Sequence, residues 1–150
     1  MIKLSFPGLP PSSNNVYFNL PGGGRALKAN GKKFKNETQV YLARNFVKEL
    51  RYFSKNSPYL VLLRLHFPQD DLLEPKWGKT PKASRYKKTD GTNRIKLVED
   101  VLKDVAAVDD SCTMTFIVQK VVAKQAALTE LFVWNTELEE SPFDAALYAL

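Results

Sequence analysis

The stretch from Asp90 to Ala123 reads DGTNRIKLVEDVLKDVAAVDDSCTMTFIVQKVVA, and its two halves follow different periods. From Asn93 to Ala107, Ile95, Val98, Leu102 and Val105 recur at helical spacing and predict a buried stripe. Lys96, Glu99, Asp100 and Lys103 lie on another face. Lys96–Asp100 and Glu99–Lys103 are spaced i, i+4, so they can pair along the helix. From Ser111 to Ala123 the period becomes two. Cys112, Met114, Phe116 and Val118 fall on one side, with Thr113, Thr115 and Gln119 on the other. That alternation predicts a strand with one face toward a core.

Working outward, Leu128 to Trp134 reads as a further strand, joined by a turn at Lys124-Gln125-Ala126. At the other end, Ile2 to Phe6 is a short strand. It runs into Pro7 to Asn15, where proline and turn residues disfavour both helix and ladder. Val16–Leu20 and Arg25–Lys28 flank Pro21-Gly22-Gly23-Gly24 and predict a hairpin. Lys33 to Phe53 reads as the first long helix, with Val40, Ala43, Val47 and Leu50 as its apolar stripe. Tyr59 to Phe67 is a nearly continuous apolar run, expected to be a strand. Residues 68–89 form a long basic loop, and residues 135–150 an acidic tail with a short helix after Pro142. Strands at both ends around two main helices predict a single α+β domain with a mixed β-sheet.

Composition bounds the function. The chain has 150 residues, one domain's worth. Its 44% hydrophobic and 25% charged content excludes wholesale disorder. No apolar run reaches the ~20 residues of a membrane span. The start, Met1 to Pro7, lacks the apolar core of a secretory signal, so none is expected. Cys112 stands alone, which excludes an internal disulfide and a cysteine-built zinc site and fits a reducing cytosol. With His66 as the one histidine, a His-rich metal cluster is excluded as well. Residues 1–67 carry a net +9, residues 68–89 a net +3, and residues 90–150 a net −6. A basic first half beside an acidic second half suggests a polyanion partner next to a carboxylate-bearing site. The competing reading is a solubilising surface.

The candidate chemistry clusters at the ends of the second helix. Asp90 precedes it, and Asp109 and Asp110 follow it. Mg²⁺ prefers oxygen and accepts one or two carboxylates plus water and phosphate. Lys96, one turn into the helix, could offset phosphate charge. Each residue also has a structural reading: Asp90 or Thr92 as N-cap, Asp109-Asp110 as turn residues, Lys96 as half of a surface ion pair. A helix of ~14 residues is about 21 Å long. Asp90 and Asp110 then share a metal only if the helix is shorter, the chain folds back, or neighbouring subunits contribute. Elsewhere, Lys28, Lys32, Lys33 and Lys35 suit phosphate contacts or a solvated face. Gly22 to Gly24 lack the lysine and strand–helix setting of a phosphate loop. His66 is expected to be structural. Phe18, Trp77 and Tyr86 could stack on unpaired bases or belong to the core.

Two motifs together resemble a known family. Phe6-Pro7-Gly8-Leu9-Pro10-Pro11-Ser12-Ser13-Asn14-Asn15-Val16-Tyr17 resembles the N-terminal opening of RusA-type Holliday junction resolvases. Asp90-Gly91-Thr92-Asn93-Arg94-Ile95-Lys96, then Glu99-Asp100-Val101-Leu102 and Val108-Asp109-Asp110-Ser111, is similar to that family's "D-x-D-N-x-x-K…D-x-L…D-D" core. Order and spacing agree over residues 2–134. The resemblance implies a RusA-like fold and a cytoplasmic, bacterial or phage-encoded homodimer. It also implies an Mg²⁺-dependent endodeoxyribonuclease, with Mn²⁺ as a possible substitute, that resolves four-way DNA junctions by paired symmetric nicks. Asp90 and Asp110 match the catalytic, metal-binding carboxylates, with Asp109 beside them, and Lys96 matches the catalytic lysine. Asn93 matches the motif asparagine, and Asn14 and Asn15 fall near DNA. Thr92 departs from the pattern, standing where the family usually has its second aspartate. Threonine offers a neutral oxygen, so metal affinity should drop. That departure motivates an alternative: a non-catalytic junction- or single-strand-DNA-binding protein with a decayed metal site. A third reading, a protein-interaction module with an incidental basic half, predicts no salt-dependent DNA binding.

Overall fold

In the computed structural model the described residues are 1–72 and 90–143. The strand read from Tyr59 to Phe67 is observed with those bounds as β4, the hub of a four-stranded sheet of order β1-β6-β4-β5. The others are β1 (Ile2–Pro7), β5 (Thr113–Val122) and β6 (Leu128–Asn135). β6 runs antiparallel to both β1 and β4, while β4 and β5 are parallel, so the sheet is mixed. A central strand is covered on both faces, which is why β4 reads as an unbroken apolar run. On one face Tyr59, Val61, Leu63, Leu65 and Phe67 join Leu4, Phe6, Leu131 and Val133 in the main core. On the other, Leu60 and Leu62 pack with Trp134 in a smaller cluster. That second face continues into Arg64 and His66, whose ring Nε2 lies 2.6 Å from Glu130 Oε2. Lys3 and Arg64 also pair with Glu130, so the buried carboxylate is compensated.

The main core is closed by α2 (Ala29–Asn45) and α5 (Ile95–Ala106), the two long helices. Among the described residues there are also short helical turns: α1 (Ser13–Val16), α3 (Val47–Leu50) and α4 (Gln69–Leu72). β2 (Tyr17–Asn19) and β3 (Arg25–Leu27) form the expected hairpin, turned by Gly22, Gly23 and Gly24, all at positive φ.

Several expectations need correction. The first long helix begins at Ala29, not Lys33, and stops at Phe46 (φ −129°, ψ 35°) before a separate turn. Lys32 and Lys33 therefore lie within the helix. Its buried face is Gly31, Thr38 and Leu42, with Phe34 beside them, while Val40, Ala43 and Val47 are exposed. Glycine and threonine carry no hydrophobic signal, yet Gly31 is where the hairpin approaches most closely. A Cβ there would sit 2.9 Å from Leu27 Cδ2 and 3.0 Å from Val16 Cβ. The turn-rich opening is not wholly irregular, since Ser13–Val16 closes one helical turn. On β5, Met114 is 68% exposed rather than core-facing. The register with β4 shifts there, passing from Tyr59↔Thr113 to Leu60↔Thr115, and this bulge turns Met114 out. On α5, Leu97 and Val101 are buried with Val98 and Leu102, and Ile95 and Val105 are only half-buried. The part of the basic loop at 73–89, with Trp77 and Tyr86, and the tail beyond residue 143 lie outside the described residues.

Candidate active site

Arg94 joins the two sequence motifs. A 3₁₀ turn, Thr92–Arg94, leads into α5. From it the Arg94 guanidinium reaches back, and Nη1 donates to the Pro10 carbonyl oxygen. The guanidinium also lies 5.2 Å from the centre of the Phe67 ring. A second tie comes from the hairpin, where Tyr17 Oη donates to Asp100 Oδ2 at 2.7 Å. Burial and the Asp100 carboxylate together push the Tyr17 hydroxyl well above the ordinary phenol range, so it stays a donor. These contacts bring the proline-rich opening, with exposed Asn14 and Asn15, against the start of α5.

After α5 the chain reverses at Ala107, which adopts a left-handed conformation (φ 54°). Buried Val108 anchors the return, and Asp109 caps a second 3₁₀ turn, Asp110–Cys112, by accepting from the Ser111 backbone N–H. The chain thus folds back along α5. Lys96 Nζ lies 3.3 Å from Asp110 Oδ2 and 3.2 Å from Asp100 Oδ1. Burial alone would lower the Lys96 pKa, but its bonds to Asp100 and Asp110 raise it overall, so the ammonium is secure. Half-buried Glu99 is raised by burial and by Asp110 and Asp100, with Lys96 opposing. Lys103 Nζ pairs with Asp109 Oδ2 at 3.0 Å. The Ser111 backbone N–H and Lys103 hold the Asp109 carboxyl far below the usual range.

Asp90 is held differently. Its Oδ1 accepts from Thr92 Oγ1 at 2.7 Å, from the Thr92 N–H at 2.9 Å and from the Asn93 N–H at 3.3 Å. The Thr92 hydroxyl is the largest cause of its lowered pKa, with the two N–H groups and Lys120 adding. Among the described residues, no hydrogen bond or ion pair joins Asp90 to Asp109 or Asp110. Lys96 and Asp110 therefore meet, and Asp90 stands at the near end of the helix as the cap of its own turn. Asn93 is half-buried in that turn. Lys28, at the N-cap of α2, and Lys32 and Lys33 on its first turns are exposed.

Three acidic or other ligating side chains do not converge as a metal cage anywhere among the described residues. The donor chemistry still suits a hard cation. Asp109 and Asp110 are adjacent and about half exposed, and Mg²⁺ needs only one or two carboxylates when phosphate and water supply the rest.

The family model for endodeoxyribonuclease RusA matches residues 7–133. The chain belongs to the RusA family. The match takes in the first motif from Pro7 onward, the whole second motif, and strands β4, β5 and nearly all of β6, with β1 before Pro7 outside it. None of the curated proteins matches. RusA proteins are endodeoxyribonucleases that act on branched DNA junctions and are generally dependent on divalent metal. Among the described residues no helix is long and apolar enough to cross a membrane. Sequence reading gave Arg94, Tyr17 and Glu99 no role in this candidate site. Arg94 and Tyr17 act across 83 or 84 residues of chain, a separation that no local pattern reveals. Glu99 enters the sequence reading as half of an i, i+4 pair and inside the quoted motif segment, with no role of its own.

Proposed function

We propose that this protein is a structure-selective endodeoxyribonuclease that resolves four-way DNA junctions by paired symmetric nicks, as a homodimer and with Mg²⁺. The observation that carries the reading is the fold-back beside α5, which sets Lys96 3.3 Å from Asp110 although 14 positions separate them. A turn-and-ion-pair surface does not require a lysine shared by two carboxylates at the spacing of a nuclease motif. Asp110 and Asp109 would hold the cation; Asp90, which no bond joins to them among the described residues, is the third carboxylate that the motif matches. When bound, the cation supplies Lewis acidity and lowers the pKa of a water. The remaining work falls to the chain. The Lys96 ammonium neutralises charge developing on the scissile phosphate. Arg94 and Tyr17 hold the asparagine-bearing opening against the helix that carries Lys96. Lys28, Lys32 and Lys33 bind the phosphate backbone without reading sequence.

Cleavage of a labelled four-way junction and a matched linear duplex, each with Mg²⁺ and with EDTA, tests the reading. Mg²⁺-dependent paired nicks in the junction alone, lost in Asp90→Asn, are expected. Full cleavage by Asp90→Asn would remove its central residue. A second reading is favoured by the hydrogen bond from Thr92 Oγ1 to Asp90 Oδ1, which occupies one of the aspartate's oxygens. In that account the protein binds junctions tightly without cutting them, and Thr92→Asp restores cleavage.

A further inference from the structure

The hairpin of β2 and β3 presents two large apolar side chains to solvent beside the candidate site. Phe18 is 45% exposed and Leu20 42%. Successive side chains of a strand alternate, so Phe18 faces away from Tyr17, whose hydroxyl is turned to Asp100. Across the ladder Phe18 is paired with Ala26, which is too small to cover a ring. The tip is closed by its own backbone: the Leu20 N–H donates to the Gly24 carbonyl at 3.0 Å, and the Gly23 N–H to the Leu20 carbonyl at 3.1 Å. Among the described residues a Cβ on Gly22, Gly23 or Gly24 would meet nothing within 4 Å, so the tip stands clear of the rest of the chain. Its base is fixed to the site. Asp100 accepts the Tyr17 hydroxyl on Oδ2 and pairs with Lys96 through Oδ1. The surrounding charge has one sign: residues 1–36 hold six lysines and arginines and no acid. Arg25 and Lys28, on the returning arm, are exposed and have no ion-pair partner among the described residues.

We infer that this hairpin reads the branch of the DNA: Phe18 stacks on a base uncovered where the strands exchange, Leu20 packs beside it, and Arg25 and Lys28 take the flanking phosphates. In a linear duplex every interior base lies between two neighbours and offers no free face. At a branch that continuity is broken, so a base face is uncovered at lower cost. Stacking on an aromatic ring is indifferent to sequence, because every base has a π-face. The acid-free, cationic surroundings complement phosphate and no other part of the DNA. An exposed ring in such a setting therefore selects structure rather than sequence. Tyr17, the residue before Phe18, shares the Asp100 carboxylate with Lys96, so the same element sets how far the branch lies from the phosphate to be cut. The inference rests on the junction-resolving reading above and names the side chain that gives it structure selectivity.

Fluorescence of 2-aminopurine, with the full chain in EDTA so that no strand is cut, tests this. The base is placed at the branch of a four-way junction, far out along one arm, or in a matched linear duplex. Wild type should raise the emission at the branch, where the base leaves its neighbours, and leave the other two positions unchanged. Phe18→Ala should abolish the rise and lower the ratio of junction to duplex affinity roughly 10-fold or more, while Phe18→Tyr should keep both. Melting temperatures identify a variant that fails to fold. Leu20→Ala, on the same hairpin, should lower the ratio as well and carries the test if Phe18→Ala is such a variant. A branch base silent with wild type, an unchanged ratio in folded Phe18→Ala, or Phe18→Tyr as poor as alanine would each overturn the inference. Cleavage of the same junction with Mg²⁺ separates the two claims. Paired nicks by a wild type that leaves the branch base silent overturn the hairpin's role alone. A branch signal lost in Phe18→Ala, with no cleavage by any form, upholds the hairpin's role and overturns the nuclease.

Discussion

Thr92 decides how Asp90 can act. A second aspartate at this position would bring another negative charge beside Asp90 and raise its pKa. Threonine instead donates a hydroxyl and lowers it. Thr92→Val keeps the shape and removes the donor. Carbon-detected NMR titration should find the Asp90 carboxyl below the ordinary aspartate range in the wild type and moved upward in the variant; an unmoved titration would show that the hydroxyl is not bonded in solution. Glu130 is the other instructive carboxylate. Burial raises its pKa, but the bonds from Lys3 and His66 outweigh that and leave it lowered. A lowered folded-state pKa stabilises above the unfolded value, here 4.5, and that contribution is lost as pH falls through the folded value. Thermal stability should therefore fall with acidification below about pH 4.5, and Glu130→Gln should flatten that dependence. Ala107 tells the opposite story, a residue poorly matched to its backbone. At φ 54° a methyl side chain is strained, so Ala107→Gly should stabilise by roughly 0.5–1 kcal/mol in urea unfolding.

At the scale of elements, the lesson is which of two stripes a helix buries. Along α2 and the turn after it the sequence shows Val40, Ala43 and Val47, but the core takes Leu42, Thr38 and Gly31 from α2. The hairpin of β2 and β3 and the sheet beneath decide this, since the helix must present its smallest residue where Val16 and Leu27 press on it. Leu42 is fully buried and Met114, on edge strand β5, is turned out by the bulge. Leu42→Ala should cost about 2–4 kcal/mol of unfolding free energy, while Met114→Ala should stay within about 0.5 kcal/mol. Equal effects would mean that the helix or the strand is rotated. β4, β5 and the hairpin were legible because their patterns are local: an apolar run, a period of two, a glycine turn. The start of α2 was not, because its N-cap, Lys28, lacks the side-chain oxygen that marks a helix start.

For the whole molecule, charge sets the terms of binding. Residues 1–67 carry a net +9, and Lys28, Lys32 and Lys33 stand exposed on the first turns of α2. Each phosphate contact contributes a slope of about −0.9 to the logarithm of affinity against the logarithm of salt. Replacing these three lysines with alanine should reduce the slope for junction binding by roughly 2–3, with the junction's sequence making little difference. An unchanged slope would move the DNA to another surface.

By itself the sequence determined the elements, their α+β order, the basic and acidic halves and the two motifs of the RusA family. The elements and the charge halves follow from periodicity, turn chemistry and composition, all of which act over a few residues, whereas the motifs rest on resemblance to the family. Only the tertiary structure decided how the motifs meet. Arg94 reaches Pro10, Tyr17 reaches Asp100, and the left-handed turn at Ala107 returns Asp110 to Lys96. Such contacts depend on where packing places distant segments. The close approach at Gly31, the bulge at Met114 and the reversal after α5 are set by the shape of the whole core, which no local window of sequence contains.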